Sequence, residues 1–186
     1  YVRAVLKYTV NILKKGGVII IPTETVYGLA VDPYNKKAVK KVYKLKNRDL
    51  KKPLQILISE KKQAKIFFKH IPPEAEKLMD KYWPGPLTLV MEKSNKTPKE
   101  ITAGKKTVGV RFPDHRFALA VINAFGCPLA ATSANISGQK SPKTAKEAAL
   151  NFDKGIDLII DAGKAKLGKG SKVIEFVEGK IKVLRK

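Results

Sequence analysis

The chain is predicted to be α/β (α+β), with helices flanking one mixed parallel and antiparallel sheet. Short apolar runs of strand length alternate with segments of helical periodicity throughout the 186 residues. Three of these runs, VIIIPTET, VGVRFPDH and PLAATSAN, deliver polar groups at their C-terminal ends. In open α/β sheets, ligands sit in the crevice beyond strand ends. The tail closes with two strand-like runs joined by a tight turn, which predicts a hairpin.

Each element follows from local chemistry. Val2, Leu6, Val10 and Leu13 share one helical face, and Gly16-Gly17 stop that helix before the strand Val18 to Ile21. A hydroxyl-rich turn follows, and Asn35 can cap a helix that puts Ala38, Val39, Val42 and Leu45 on one face. Pro53 opens the strand LQILI, and Ser59 is placed to cap a short helix after it. PPEAEKLMDKYW has Ala75, Leu78, Met79 and Tyr82 at helical spacing, and PGPLTLVMEK reads as a turn and a strand. A polar, lysine-rich connection leads from Glu92 to the strand TVGVRF. Pro113-Asp114 then start a helix that runs to Phe125 and closes at Gly126. CPLAATSAN is a further strand. Thr144 and Glu147 have capping-box spacing for a helix near 145–150, and IDLIID, KVIEFV and KIKVLR complete the sheet.

An apolar fraction of 44% over this length suits one domain with a real core. No stretch approaches eighteen uninterrupted apolar residues and no secretory pattern opens the chain, so a soluble, intracellular protein is expected. The chain begins at Tyr1 rather than Met, and a few preceding residues are expected to be missing. Cys127 alone excludes an internal disulfide framework. The formal charge of +22 favours phosphate-bearing or polyanionic partners. Thirty-three of the 38 basic residues are lysines spread along the chain, which is the pattern of a solvated surface. The five arginines, Arg3, Arg48, Arg111, Arg116 and Arg185, are the more selective anion ligands.

The stretch KLKNRDLKKPL gathers Lys44, Lys46, Arg48, Lys51 and Lys52 where a helix gives way to a strand. Lys44 and Lys51 suit a solvated face, whereas Lys46 and Arg48 are placed to clamp a phosphate from two sides. By themselves Thr23 and Thr25 read as turn residues or helix caps rather than ligands, and Ser133 and Asn135 read as turn formers in the same way. There is no GxxxxGK[ST] or GxGxxG loop, and His70, His115 and Cys127 lack metal-ligand spacing. No Ser/His/Asp arrangement stands out. Hydroxyls, amides, Lys and Arg around an anion leave positioning and electrostatics, the means used for transfer at phosphorus.

In order and spacing, PTETVYGLAVD, KNRDLKKPL, WPGPLTLV, VGVRFPDH and PLAATSANISGQKSP resemble the YrdC-like family, whose enzymatic members are L-threonylcarbamoyladenylate synthases. The resemblance covers essentially the whole chain. It implies a twisted mixed sheet around a large basic cavity and a short form in which 1–186 is a single domain. It also implies a nucleotidyltransferase that converts L-threonine, bicarbonate and ATP to threonylcarbamoyl-AMP and pyrophosphate, with Mg2+ carried on the ATP phosphates and no protein metal site. The product would serve a downstream tRNA threonylcarbamoyl transferase complex in the cytoplasm, which modifies adenosine beside the anticodon. Carried over by position, Thr25, Arg111, the Ala131 backbone and Ser171 would bind threonine. Arg48, Lys52, Thr107, Ser133, Ser141 and Arg185 would bind ATP, and Lys46 and Asn135 complete the Lys-x-Arg and Ser-x-Asn motifs. With Arg48 and Ser133 these two form the expected catalytic set.

The chain departs from the family pattern in four places. Leu57 stands at a threonine-contacting position where many members have histidine, and Asp49 replaces the usual proline. The usual Ser-Thr pair of the tail is Ser171-Lys172, and Lys186 follows Arg185 in place of Pro-Gly. Two other functions fit the same residues. One is an RNA-binding protein, on double-stranded RNA, tRNA or the ribosome, that uses the basic concavity. The other is a carbamoyl-transfer relative with a different acceptor.

Overall fold

The computed structural model describes residues 2–152 and 154–186; Tyr1 and Asp153 lie outside the described residues. Helix α1 (Val2–Lys14) leads into β1 (Ile19–Ile21), and β2 (Gly28–Val31) follows the PTETVY turn. Helix α2 (Lys36–Leu45) begins where the Ala38 amide donates to Asn35 Oδ1 at 3.0 Å. Strand β3 (Gln55–Leu57) is followed by a 3-10 turn (Lys61–Gln63), α3 (Ala64–Phe67) and α4 (Pro73–Tyr82). Next come β4 (Leu87–Glu92), β5 (Thr107–Arg111), α5 (Arg116–Phe125) and β6 (Leu129–Ser133). The chain ends with α6 (Ala145–Leu150), β7 (Leu158–Ile159), β8 (Lys172–Val177) and β9 (Lys180–Arg185). Among the described residues, nine strands join one open sheet in the order β7-β1-β2-β6-β3-β5-β4-β8-β9. The pairs β1/β7, β3/β5 and β4/β8 are parallel and the other five antiparallel, which is the mixed sheet expected.

Three local features differ from the sequence expectation. GLAV forms β2, which was not expected as a strand. It is buried on both faces and so lacks the alternation that marks a strand in sequence. The short helix after β3 is capped at Glu60 rather than Ser59. The Gln63 side-chain oxygen accepts from both amides, at 2.8 Å from Ser59 and 3.2 Å from Glu60, while the Ser59 hydroxyl donates to Asn123 Oδ1 at 2.6 Å. Helix α5 starts after His115, not at Pro113-Asp114, because His115 Nδ1 takes the Ala118 amide at 3.4 Å. The polar link from Glu92 to Thr107 is also anchored: Ile101 is fully buried and its carbonyl accepts the Leu54 amide at 2.8 Å.

The core has two layers, set by period-2 alternation across the sheet. One face carries Ile20, Leu29, Ile56, Val108, Val110, Leu89 and Ile174 and packs under α2, α3, α4 and α6. On the opposite face, Ile19, Ile21, Ala30, Leu57 and Leu129 are covered by Leu13 of α1 and Ala118, Val121 and Ile122 of α5. That cover does not extend past β3. The same face continues across β5, β4 and β8 as Thr107, Gly109, Arg111, Thr88, Val90, Val173 and Glu175, and these residues floor a cavity. No helix among the described residues is long and apolar enough to cross a membrane.

Candidate active site

The cavity has a volume of about 410 Å3, in the range of small-ligand sites. Arg48, Lys105, Arg111 and Arg185 line it against one carboxylate, Glu175. Its positive character is local as well as global, which discounts the lysine-rich surface as the source.

At one end, Arg111 rises from the last residue of β5 into the PTET turn. Its Nη1 donates to Thr25 Oγ1 at 2.8 Å, its Nε to the Gly85 carbonyl at 3.3 Å, and its Nη2 to Glu24 Oε1. The turn is fixed from within: the Thr23 hydroxyl donates to the Val26 carbonyl at 2.6 Å and lies 2.9 Å from Thr25 Oγ1. Burial, then the nearby Arg185 charge, pulls Arg111 down to about 9. Glu24 offsets that cost as its ion-pair partner, and Glu24 Oε2 stays buried with no partner among the described residues. Of the five N–H groups of Arg111, three are held by protein, which leaves one on each Nη for a ligand.

At the other end, Arg48 is held by the loop that follows α2. Its Nη2 donates to the Pro53 carbonyl at 2.8 Å and its Nε to the Lys52 carbonyl at 3.2 Å, and burial lowers its pKa. Ser133, Ser141 and Thr107 line the same cavity. Back on the Arg111 side, Arg185 arrives from β9 in register with Val173, the neighbour of Thr88, and a register shift opposite Val173/Ile174 lets both Leu184 and Arg185 reach the cavity. Its Nε donates to the Ser171 carbonyl at 2.5 Å and its Nη2 to Ser171 Oγ at 3.0 Å. The guanidinium lies across Gly170, where an added Cβ would stand 3.0 Å from Arg185 Cζ.

Of the residues singled out in the sequence, Thr25, Arg48, Thr107, Arg111, Ala131, Ser133, Ser141, Ser171 and Arg185 all line this cavity. Lys46, Asn135, Lys52 and Leu57 do not. Lys46 is fully buried behind the Ser-x-Asn loop, with Nζ donating to the Ser133 carbonyl, to the Asn135 carbonyl at 2.8 Å and to Asn135 Oδ1 at 3.3 Å. Burial, then the Arg48 charge, brings Lys46 down to about 7. Asn135 is buried beside it and donates to the Gln139 carbonyl at 2.6 Å. This lysine therefore ties the two motifs together from below. The Lys52 side chain is exposed, and its carbonyl takes the Tyr43 hydroxyl at 2.7 Å. Leu57 packs into the α1/α5 layer next to Arg111 in register.

Sequence reasoning missed Gln55, Thr88, Gly109 and Glu24. Gln55 and Thr88 are the polar residues within LQILI and LTLV, on the alternation that faces away from the core. Among the described residues no group of three or more His, Cys, Asp or Glu is placed to hold a metal ion.

A mixed open sheet, half of one face left bare as a cationic two-ended cavity, defines an anion-handling α/β protein. The Sua5/YciO/YrdC family model, described as "Telomere recombination", matches residues 11–186, and the chain belongs to that family. It is 42% identical over 173 residues to the threonylcarbamoyl-AMP synthase of Pyrococcus abyssi, covering 93% of this chain and 51% of that protein. With the threonylcarbamoyl-AMP synthase of Bacillus subtilis it shares 40% over 168 residues, 90% of this chain and 49% of the relative. The chain thus spans about half the length of these two curated relatives. The crystal structure of Pyrococcus abyssi Sua5 complexed with L-threonine superimposes with a TM-score of 0.93 at 42% identity, covering 97% of this chain and 53% of that one.

Proposed function

We propose that the chain is an L-threonylcarbamoyladenylate synthase that makes threonylcarbamoyl-AMP, pyrophosphate and water from L-threonine, bicarbonate and ATP. The observation that carries this is the pairing, in one cavity, of an Arg111–Thr25 end, flanked by Ser171 and Arg185, and an Arg48–Ser133–Ser141 end. Its similarity to synthases, one crystallised with L-threonine, supports the same reading.

The two N–H groups left on Arg111 suit the threonine carboxylate, with Thr25, Ser171 and the Ala131 backbone around it. Arg48, Thr107, Ser133, Ser141 and Arg185 hold ATP, with Lys52 at the mouth. The threonine amine forms a bond to the bicarbonate carbon, and one carbon–oxygen bond breaks as water leaves. A carbamate oxygen then attacks the α-phosphorus, and the bond to the β,γ-phosphates breaks with its electron pair on pyrophosphate. The protein supplies no nucleophile; it holds anions together against their repulsion. Lys46 and Asn135 keep Ser133 in place. With Glu175 as the only carboxylate in the lining among the described residues, a magnesium ion fits here on triphosphate oxygens and water, and no protein step runs through it. Residues 1–186 act as one domain, and the product passes to a tRNA-modifying transferase complex in the cytoplasm.

The test is incubation with ATP, bicarbonate and each amino acid in turn, with pyrophosphate measured. Threonine-dependent release is the expected result. Absence of release, together with tight RNA binding that falls steeply with salt, overturns the synthase in favour of a nucleic-acid-binding protein.

A further inference from the structure

The register across the bare floor orders its residues in three rows. The first row runs Leu57, Arg111, Thr88, Val173. The second runs Ala131, Gln55, Gly109, Val90, Glu175. The third holds Ser133 on β6 and Thr107 on β5. At about 3.3 Å per residue the outer rows are roughly 13 Å apart, with the Gln55 row midway. The first row belongs to the amino-acid end and the third to the nucleotide end. Whatever links amino acid to α-phosphate must lie over the middle row.

The middle row is open there. Gly109 stands beside Gln55, and a Cβ on it would lie 3.3 Å from Thr88 Cγ2 and 3.8 Å from Gln55 Cβ. Gln55 is held through its carboxamide oxygen. Arg185 can only donate, so Ser171 Oγ accepts from its Nη2 at 3.0 Å. The Thr88 hydroxyl donates to Gln55 Oε1 at 2.9 Å, so its own oxygen takes the Ser171 hydroxyl, 2.7 Å away. This chain of donors runs one way, from guanidinium to carboxamide, and each bond polarises the next. It ends by leaving the Gln55 amide NH2 as a donor group in the cavity lining with no protein acceptor among the described residues.

We propose that Gln55 holds the one-carbon unit, with its amide NH2 donating to an oxygen of bicarbonate and then of the carboxylate formed on the amine. This rests on the synthase reading above. A neutral donor suits the task, because an arginine there would bind the anion more strongly and quieten the oxygen that must attack phosphorus. Gln55 is not among the positions carried over from the family.

The experiment compares wild type with Gln55→Leu and Gln55→Glu, which keep the side chain's size, by steady-state pyrophosphate release with each substrate varied. In both variants the bicarbonate KM rises about tenfold or more, most for Gln55→Glu, while KM for ATP and threonine stays within about twofold. An unchanged bicarbonate KM, or a parallel rise in all three, overturns the proposal and leaves the synthase intact. A second measurement needs no turnover: the 13C line of labelled bicarbonate broadens with wild type plus a non-hydrolysable ATP analogue and does not with Gln55→Leu. Equal broadening with the two proteins, or none with wild type, overturns the proposal independently of the synthase activity.

Discussion

The sheet face that carries the cavity is continuous from β1 to β8, yet its two halves are built differently. Under α1 and α5 it presents Ile19, Ile21, Leu57 and Leu129, fully packed. Beyond β3 it presents Thr88, Gly109, Arg111 and Glu175 to a cavity. Strand β3 holds both halves at once: Leu57 lies under the helices and Gln55, two residues earlier on the same face, lies in the open. A side chain's role here is set by how far the covering helices reach, not by the strand it occupies.

The sharpest way to break this contrast is Arg111→Ala. It removes the centre of the amino-acid end, and kcat/KM for threonine should fall about a thousandfold, the scale of losing a buried hydrogen-bonded charge. It also strands Glu24, so urea unfolding should show a loss of about 3–5 kcal/mol. On the covered half, Leu129→Ala should cost about 2–5 kcal/mol in the same unfolding experiment. ATP and threonine affinities of the folded protein should be unchanged, and a change in either would mean the halves are coupled. Arg48→Ala should weaken ATP binding about ten- to hundredfold by calorimetry, the scale of lost hydrogen bonds to a charged group. Substitution of the exposed Lys61 or Lys62, whose ion pairs are on the surface, should stay within about twofold. Equal effects would make the basic residues mere bulk charge.

A further contrast, within the Lys-x-Arg motif, concerns Lys46 and pH. Its folded pKa, about 7, lies below its unfolded value of about 10.4, so between these limits the unfolded chain binds more protons. Holding the ammonium in the core costs stability below pH 7, and that cost is relieved as pH rises. Wild type should gain on Lys46→Met by at most about 1.4 kcal/mol per pH unit between pH 7 and 10. A flat difference would show that Lys46 keeps its proton throughout.

Much of this was legible in the chain. Asn35, Gly126 and Thr144 cap the helices their spacing predicts. The EGK turn forms with Glu178 and Gly179 both left-handed, as a two-residue hairpin requires. The three strands that end in polar groups do converge on the cavity. What escaped was direction. Lys46 and Arg48 are two residues apart, but one points beneath the Ser133 loop and the other into the cavity, a difference set by packing against β6. Gln55 and Thr88 were hidden because one polar residue in an apolar strand looks the same whether it faces water or a ligand. Strand β2 was hidden by burial on both sides, which erases the pattern that announces a strand.

The hairpin that closes the sheet also sets a timescale. Strand β9 has a neighbour on one side only and all six of its residues are exposed, so little burial opposes its opening. Whenever it peels from β8, Arg185 and Leu184 leave the cavity with it. One wall of the chamber is thus expected to have its own lifetime, set by a two-stranded ribbon, and amide exchange along β9 is the measurement that reads it.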